Sequence, residues 1–164
     1  QDLTLLDLSC NKLRHLPAVL NRLPNLLELN LSDNFLLRVP QGALSVPSLT
    51  SLSVRANHII DWPPGLSTLG ALCTLDLSWN QIAKLPPYGV DDDGEWTYGA
   101  LATLTSITHL DLSSNTLRDV RSALLMPSLS HLVFKGNPIV QPCPEVLPSI
   151  SSGAGHGRET RTPH

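Results

Sequence analysis

His109, Asp111 and His131 are the residues of this chain whose types could support metal chemistry, two imidazoles and a carboxylate within a short stretch. A zinc site needs three or four such donors on a fixed tetrahedron, and no fourth ligand stands at a useful spacing. Histidines on a surface are otherwise simply solvated. A Ser-His-Asp arrangement is no more persuasive, because serines are spread along the chain and none sits in a recognisable nucleophile turn. There is no G-x-x-x-x-G-K-[ST] phosphate loop and no kinase motif. The residues therefore predict no catalytic site, no metal site and no cofactor. Trp79 near Arg55 and Asp76 has a different character: a large aromatic among charges is the composition of a binding hot spot, although it can also merely cover its neighbours. A third group, Tyr88, Asp91, Asp92, Asp93, Glu95, Trp96 and Tyr98, combines acids and aromatics. Its aspartates run together without the alternation of a calcium-binding EF-hand loop.

These residues are positioned by a repeat, L-x-x-L-x-L-x-x-N-x-[LI], in six copies. The copies read Leu3, Leu6, Leu8, Asn11, Leu13; Leu26, Leu29, Leu31, Asn34, Leu36; Leu49, Leu52, Val54, Asn57, Ile59; Leu72, Leu75, Leu77, Asn80, Ile82; Ile107, Leu110, Leu112, Asn115, Leu117; and Leu129, Leu132, Phe134, Asn137, Ile139. Their asparagines are 23, 23, 23, 35 and 22 residues apart. The fourth and sixth places alternate as in a strand, so each copy starts with a short strand. The ninth-place asparagine ends it, bonding backbone groups that the turn leaves without partners, and six of them form a buried ladder. Return segments such as Leu16, Leu20, Leu23 and Trp62, Leu66, Leu69 have the spacing of a helical or 3₁₀ turn. No copy can bury its leucines alone, so neighbours must stack into a solenoid with one continuous core and a parallel sheet roughly 24 Å wide.

Strand alternation sends the third, fifth and seventh places to the open face of the sheet. The third-place row is Leu5, Glu28, Ser51, Thr74, His109, His131; the fifth, Asp7, Asn30, Ser53, Asp76, Asp111, Val133; the seventh, Ser9, Ser32, Arg55, Ser78, Ser113, Lys135. Trp79, at the eighth place, falls on the rim. Expected partner contacts are Glu28, Asn30, Arg55, Asp76, Trp79, His109, Asp111, His131, Lys135 and Trp96. Asp76 and Asp111 on adjacent strands repel slightly unless a basic partner comes between them.

The net charge of −3, from 11 basic and 14 acidic residues with no basic cluster, argues against nucleic acid and anionic membranes. No apolar run approaches the ~20 residues of a membrane span, and no signal peptide is visible. Cys10 and Cys73 sit three repeats apart, about 14 Å, too far for a disulfide. Reduced thiols predict a cytoplasmic protein. The first strand starts at Leu3 with nothing over the end of the core, which predicts further repeats before it. The oligomeric state is not legible.

The repeat resembles the leucine-rich repeat family, an α/β solenoid or horseshoe with a parallel sheet on the concave face and helical, 3₁₀ or irregular turns on the convex face. Residues 16 to 26, Leu-Pro-Ala-Val-Leu-Asn-Arg-Leu-Pro-Asn-Leu, are similar to the intracellular Ras-suppressor, Shoc and Scribble type and to plant disease-resistance-like relatives. The run from Gly136 to Val146 is similar to the ending of that group, with Cys143 in place of a proline. The cysteine-rich end caps of extracellular members are missing. The resemblance implies a protein-protein interaction scaffold in signal transduction, with a small GTPase or another signalling protein as partner. It also allows the recognition arm of a larger enzyme such as a Roco-type kinase or GTPase, or a fragment of an innate-immune receptor. The expected domain covers 1–148, with repeats at 3–25, 26–48, 49–71, 72–106, 107–128 and 129–148. The fourth holds twelve extra residues as an insertion at 87–100, either a solvated loop or a docking loop. A short helical cap can form over 144–147, and 149–164 reads as a disordered tail.

Overall fold

Alternation within each copy yields a strand of three residues, and a computed structural model of the chain, describing residues 2–87, 89–90, 96–97 and 101–140, aligns six of them in one sheet. They are β1 (Leu5–Asp7), β2 (Glu28–Asn30), β3 (Ser51–Ser53), β4 (Thr74–Asp76), β7 (His109–Asp111) and β8 (His131–Val133). All pairs are parallel, in the order β1-β2-β3-β4-β7-β8. Like places face like places: Leu6, Leu29, Leu52, Leu75, Leu110 and Leu132 are in register across the sheet. A slip of one residue would carry every fourth-place leucine off the core, so burial itself holds this register.

The core runs unbroken along the stack. Leu29, Leu52, Leu75, Leu110 and Leu132 from the fourth place and Leu31, Val54, Leu77 and Leu112 from the sixth are buried, packed with Leu26, Leu49, Leu72, Ile107 and Leu36, Ile59, Ile82, Leu117. Adjacent copies thus complete each other's cores, as stacked repeats require. The chain returns through 3₁₀ turns at Ala18–Arg22, Ala43–Ser45, Leu66–Thr68 and Arg121–Leu125, which bury Leu20, Leu44, Leu66 and Ala123. The described residues contain no α-helix. A repeat of this length leaves too few residues outside the strand and its two turns for the longer helix that α geometry needs to form.

Each strand ends in the same two steps. The eighth-place residue takes a left-handed backbone in all six copies: Cys10, Asp33, Ala56, Trp79, Ser114 and Gly136 have φ between 51° and 76°. The following asparagine is then aimed inward. Asn80 accepts a bond from the Ile59 amide (2.9 Å) and donates to the carbonyls of Val54 (3.0 Å), Leu77 (3.1 Å) and Ser78 (3.1 Å). Asn34, Asn57 and Asn115 repeat this set with their own neighbours, and Asn137 all but one of its bonds. Asn11 is exposed, and among the described residues its side chain bonds only the carbonyls of Leu8 and Ser9.

The longer fourth copy does not interrupt the sheet, since β4 pairs directly with β7. Part of its insertion forms an antiparallel pair, β5 (Gly89–Val90) and β6 (Trp96–Thr97), with Val90 opposite Trp96. The Trp96 side chain, Tyr88, the acids at 91–95, Tyr98, Cys143, the expected cap at 144–147 and the expected tail at 149–164 lie outside the described residues. No helix among those described is long and apolar enough to cross a membrane.

One ion pair stands among the described residues, Asp119 with Arg121 at the start of the last 3₁₀ turn. The Arg121 side-chain hydrogen bond, more than its charge alone, holds the Asp119 carboxyl below its ordinary value. A carboxyl depressed in the folded state contributes stability above its unfolded pKa, about 4, and that contribution is lost as pH falls through the folded value. Both side chains are over one-third exposed, so solvent screening limits the effect to under about 1 kcal/mol. Urea titrations from pH 7 to pH 2 are expected to show that Asp119→Asn has a small deficit at pH 7 that vanishes at acid pH.

Candidate protein-recognition surface

The open face of the sheet is built from the three expected rows, but they are not equally open. In the third row Glu28, Thr74, His109 and His131 are exposed. The fifth row is structural as well as superficial: Asp7, Asn30, Asp76 and Asp111 each accept a bond from the backbone amide two residues on, at 2.8 to 3.1 Å. These short turns satisfy seventh-place amides as the strand ends. The hydrogen bonds from Ser9, side chain first and then backbone, hold the Asp7 carboxyl below its ordinary value. Asp76 and Asp111 face each other in register, each oriented by its own turn, with one oxygen bonded and the charge still presented to the open face.

The seventh row departs from expectation. Ser78 is fully buried and Ser32 nearly so, whereas Arg55 and Lys135 are exposed. Arg55 reaches across to the neighbouring copy, donating to the Ser78 hydroxyl at 3.0 Å, and Ser32 is bonded to Asn30 and to the Ser53 hydroxyl. A small side chain between long or bonded neighbours is covered by them, so alternation alone overstates the open surface.

Trp79 is the most unusual residue of the face. It is 56% exposed and has φ +55°, a backbone state that disfavours any residue with a Cβ by about 1–2 kcal/mol and is rare for bulky ones. The Arg55 guanidinium lies over its ring, 5.6 Å from the centroid. Relief of this strain should outweigh the lost ring contact. Trp79→Asn, a residue that tolerates the left-handed region, is therefore expected to leave stability unchanged or raise it by up to about 1 kcal/mol in urea denaturation.

His109 and His131 are brought together, though not into a ligand set. Their rings stack with centroids 4.4 Å apart and planes 7° from parallel. Ring-nitrogen lone pairs lie in the ring plane, so parallel rings point them side by side rather than at one ion. Each Nδ1 also meets the hydroxyl of the preceding residue, Thr108 at 2.9 Å and Ser130 at 3.1 Å. No group of three or more metal-ligand side chains is assembled among the described residues.

From Glu28 and Asn30 on β2 to His131 on β8 is four strand spacings, about 19 Å. That span suits a protein surface rather than a small molecule. Arg55, Asp76 and Trp79 cluster near its middle, with His109, Asp111, His131 and Lys135 on one side; Trp96 belongs to the separate antiparallel pair of β5 and β6. Sequence reading missed the left-handed eighth place, whose residue types vary freely; Gly136 and Asp33 were its only visible signals.

Residues 1–59 match a family model described as leucine rich repeat, and residues 103–120 match a second with the same description. A search of curated proteins found no match. Among solved structures, a chain in "Crystal structure of LRIM1/APL1C complex" is similar, with 26% sequence identity and a TM-score of 0.66 over 81% of this chain. The match spans 23% of that longer chain. Matching segments on both sides of the insertion, the shared fold and the asparagine-anchored parallel sheet together identify the fold as a leucine-rich repeat solenoid.

Proposed function

We propose that this chain is a non-catalytic recognition scaffold holding a protein partner against its strand face, with Trp79, Arg55, Asp76 and Asp111 at the centre of contact. The observation that carries this reading is Trp79: a bulky aromatic kept in a strained backbone state and left exposed is explained by what it touches outside the chain. The in-register carboxylates of Asp76 and Asp111 favour a partner with a basic patch. The similar solved chain comes from a structure titled as a complex, which agrees with a binding role. Exposed free thiols at Cys10 and Cys73 support a reducing, cytoplasmic setting, and signal transduction around a small GTPase is the pathway class we favour.

The test is capture from lysate on the immobilised chain, comparing wild type with Trp79→Ala/Asp111→Lys, followed by titration of the captured protein. The expected result is a partner retained by wild type and bound at least tenfold more weakly by the variant, compared under conditions where urea titration shows both to be folded, since Asp111→Lys also gives up the bond to the Ser113 amide. Equal binding by the two would remove the strand face from the interaction.

A further inference from the structure

Beyond each asparagine the chain leaves the sheet along a lateral rim, where tenth- and twelfth-place side chains of neighbouring copies line up. The amides of Phe35, His58 and Gln81 bond the carbonyls of Leu13, Leu36 and Ile59 at 2.8 to 2.9 Å, which locks these copies side by side. Four large apolar residues stand out of this rim: Phe35 is 44% exposed, Leu37 58%, Ile60 49% and, in the last copy, Val140 71%. The fold does not require them. The core beneath is already closed by Leu36 and Ile59, both fully buried, and other copies place Lys12, Gln81, Thr116, Arg14 and Arg118 at the equivalent positions.

The rim is also shaped and charged. Phe35 stacks on His58, ring centroids 5.7 Å apart, and with Arg14 and Leu37 they line a groove of about 340 Å³. Lys12, Arg14 and Arg38 are exposed around it, and none forms an ion pair among the described residues. The acids within two residues of these rim positions in sequence are Asp33, Asp61 and Asp119, the last paired with Arg121. The basic character therefore concentrates at the first two copies, beside the apolar groove.

We propose that this rim is a second docking surface, which takes an extended acidic segment of a protein partner. One apolar or aromatic side chain of that segment enters the groove between Arg14, Phe35, Leu37 and His58. Flanking carboxylates pair with Lys12, Arg14 and Arg38. An apolar anchor ringed by charge is the arrangement that gives a short segment both affinity and register.

The experiment is fluorescence anisotropy of the whole chain with two labelled synthetic peptides, a Leu-Phe pair flanked by glutamates and the same pair flanked by lysines. The glutamate peptide is expected to bind, more weakly as salt is raised, and the lysine peptide to bind at least tenfold more weakly. Leu37→Ser and Arg14→Glu, both at exposed positions, should each reduce glutamate-peptide binding about tenfold at an unchanged urea midpoint. Trp79→Ala should leave it unaltered, separating the rim from the strand face. Equal binding of both peptides, no binding of the glutamate peptide, or variants that bind like wild type would overturn the proposal. So would self-association abolished by Leu37→Ser, which would assign the rim to a second copy of the chain.

Discussion

Asn80→Ala is expected to lower the stability of the chain by roughly 3–5 kcal/mol, the larger part from one buried amide left without a partner and the rest from the bonds lost with it. The argument rests on which groups retain a partner. Removing the carboxamide orphans the Ile59 amide, which donates to the Asn80 Oδ1. The carbonyls fare better: Val54 still accepts from Asn57, Leu77 from Asn115, and Ser78 from the Ala56 amide. Because the sixth-place carbonyls of Leu8, Leu31, Val54, Leu77 and Leu112 are each shared by two asparagines, the ladder joins adjacent copies, and its loss loosens both neighbours. Asn11→Ala is the control. Asn11 is exposed, and among the described residues its side chain bonds just the Leu8 and Ser9 carbonyls, the former also held by Asn34. It should cost about 1 kcal/mol or less. Urea midpoints at constant m-value decide the matter; equal losses for the two variants would mean that the ladder contributes no more inside the stack than at its margin.

Leu52→Ala is expected to cost about 2–5 kcal/mol through lost burial and the cavity left behind. Leu52 is fully buried in β3, between Leu29 and Leu75 in register, so neither neighbour can move in without giving up its own place in the stack. Stability in a solenoid is a sum over copies and their interfaces. Amide exchange should therefore quicken first in β2, β3 and β4 and least in β8. Leu37→Ala, at a side chain 58% exposed, should change stability by about 0.5 kcal/mol or less. Uniform loss of protection across the sheet would show instead that the stack unfolds as one unit, with no local response to a local cavity.

A stability measurement also bears on function. If Trp79→Asn is neutral or stabilising while Trp79→Ala/Asp111→Lys loses a partner, the tryptophan side chain, at an eighth place that is left-handed in every copy, is retained for binding. The two results come from different experiments. A clearly destabilising Trp79→Asn would make the ring a structural cover over Arg55, whose guanidinium lies against it and bonds the Ser78 hydroxyl.

The parallel sheet, its register and the continuous leucine core were legible from the sequence, because burial at alternate strand places and the need of each copy for its neighbours allow one solution. The pattern also pointed to the rows of the open face. It carried no information on how far those rows are open. Ser78 and Lys135 share a place in the repeat, yet one is fully buried and the other exposed, because coverage depends on the length and direction of the side chain next door. The same limit hid the double duty of Asp76 and Asp111, whose charges face outward while one oxygen of each closes a turn. It hid the lateral rim as well, since Phe35, Leu37 and Ile60 look like any other apolar residues until the core beneath them is seen to be full. Periodic burial is a local property repeated along the chain and can be read from it. Exposure, strain and the meeting of charges are set by neighbours some twenty residues away in sequence, and only the stacked tertiary structure decides them.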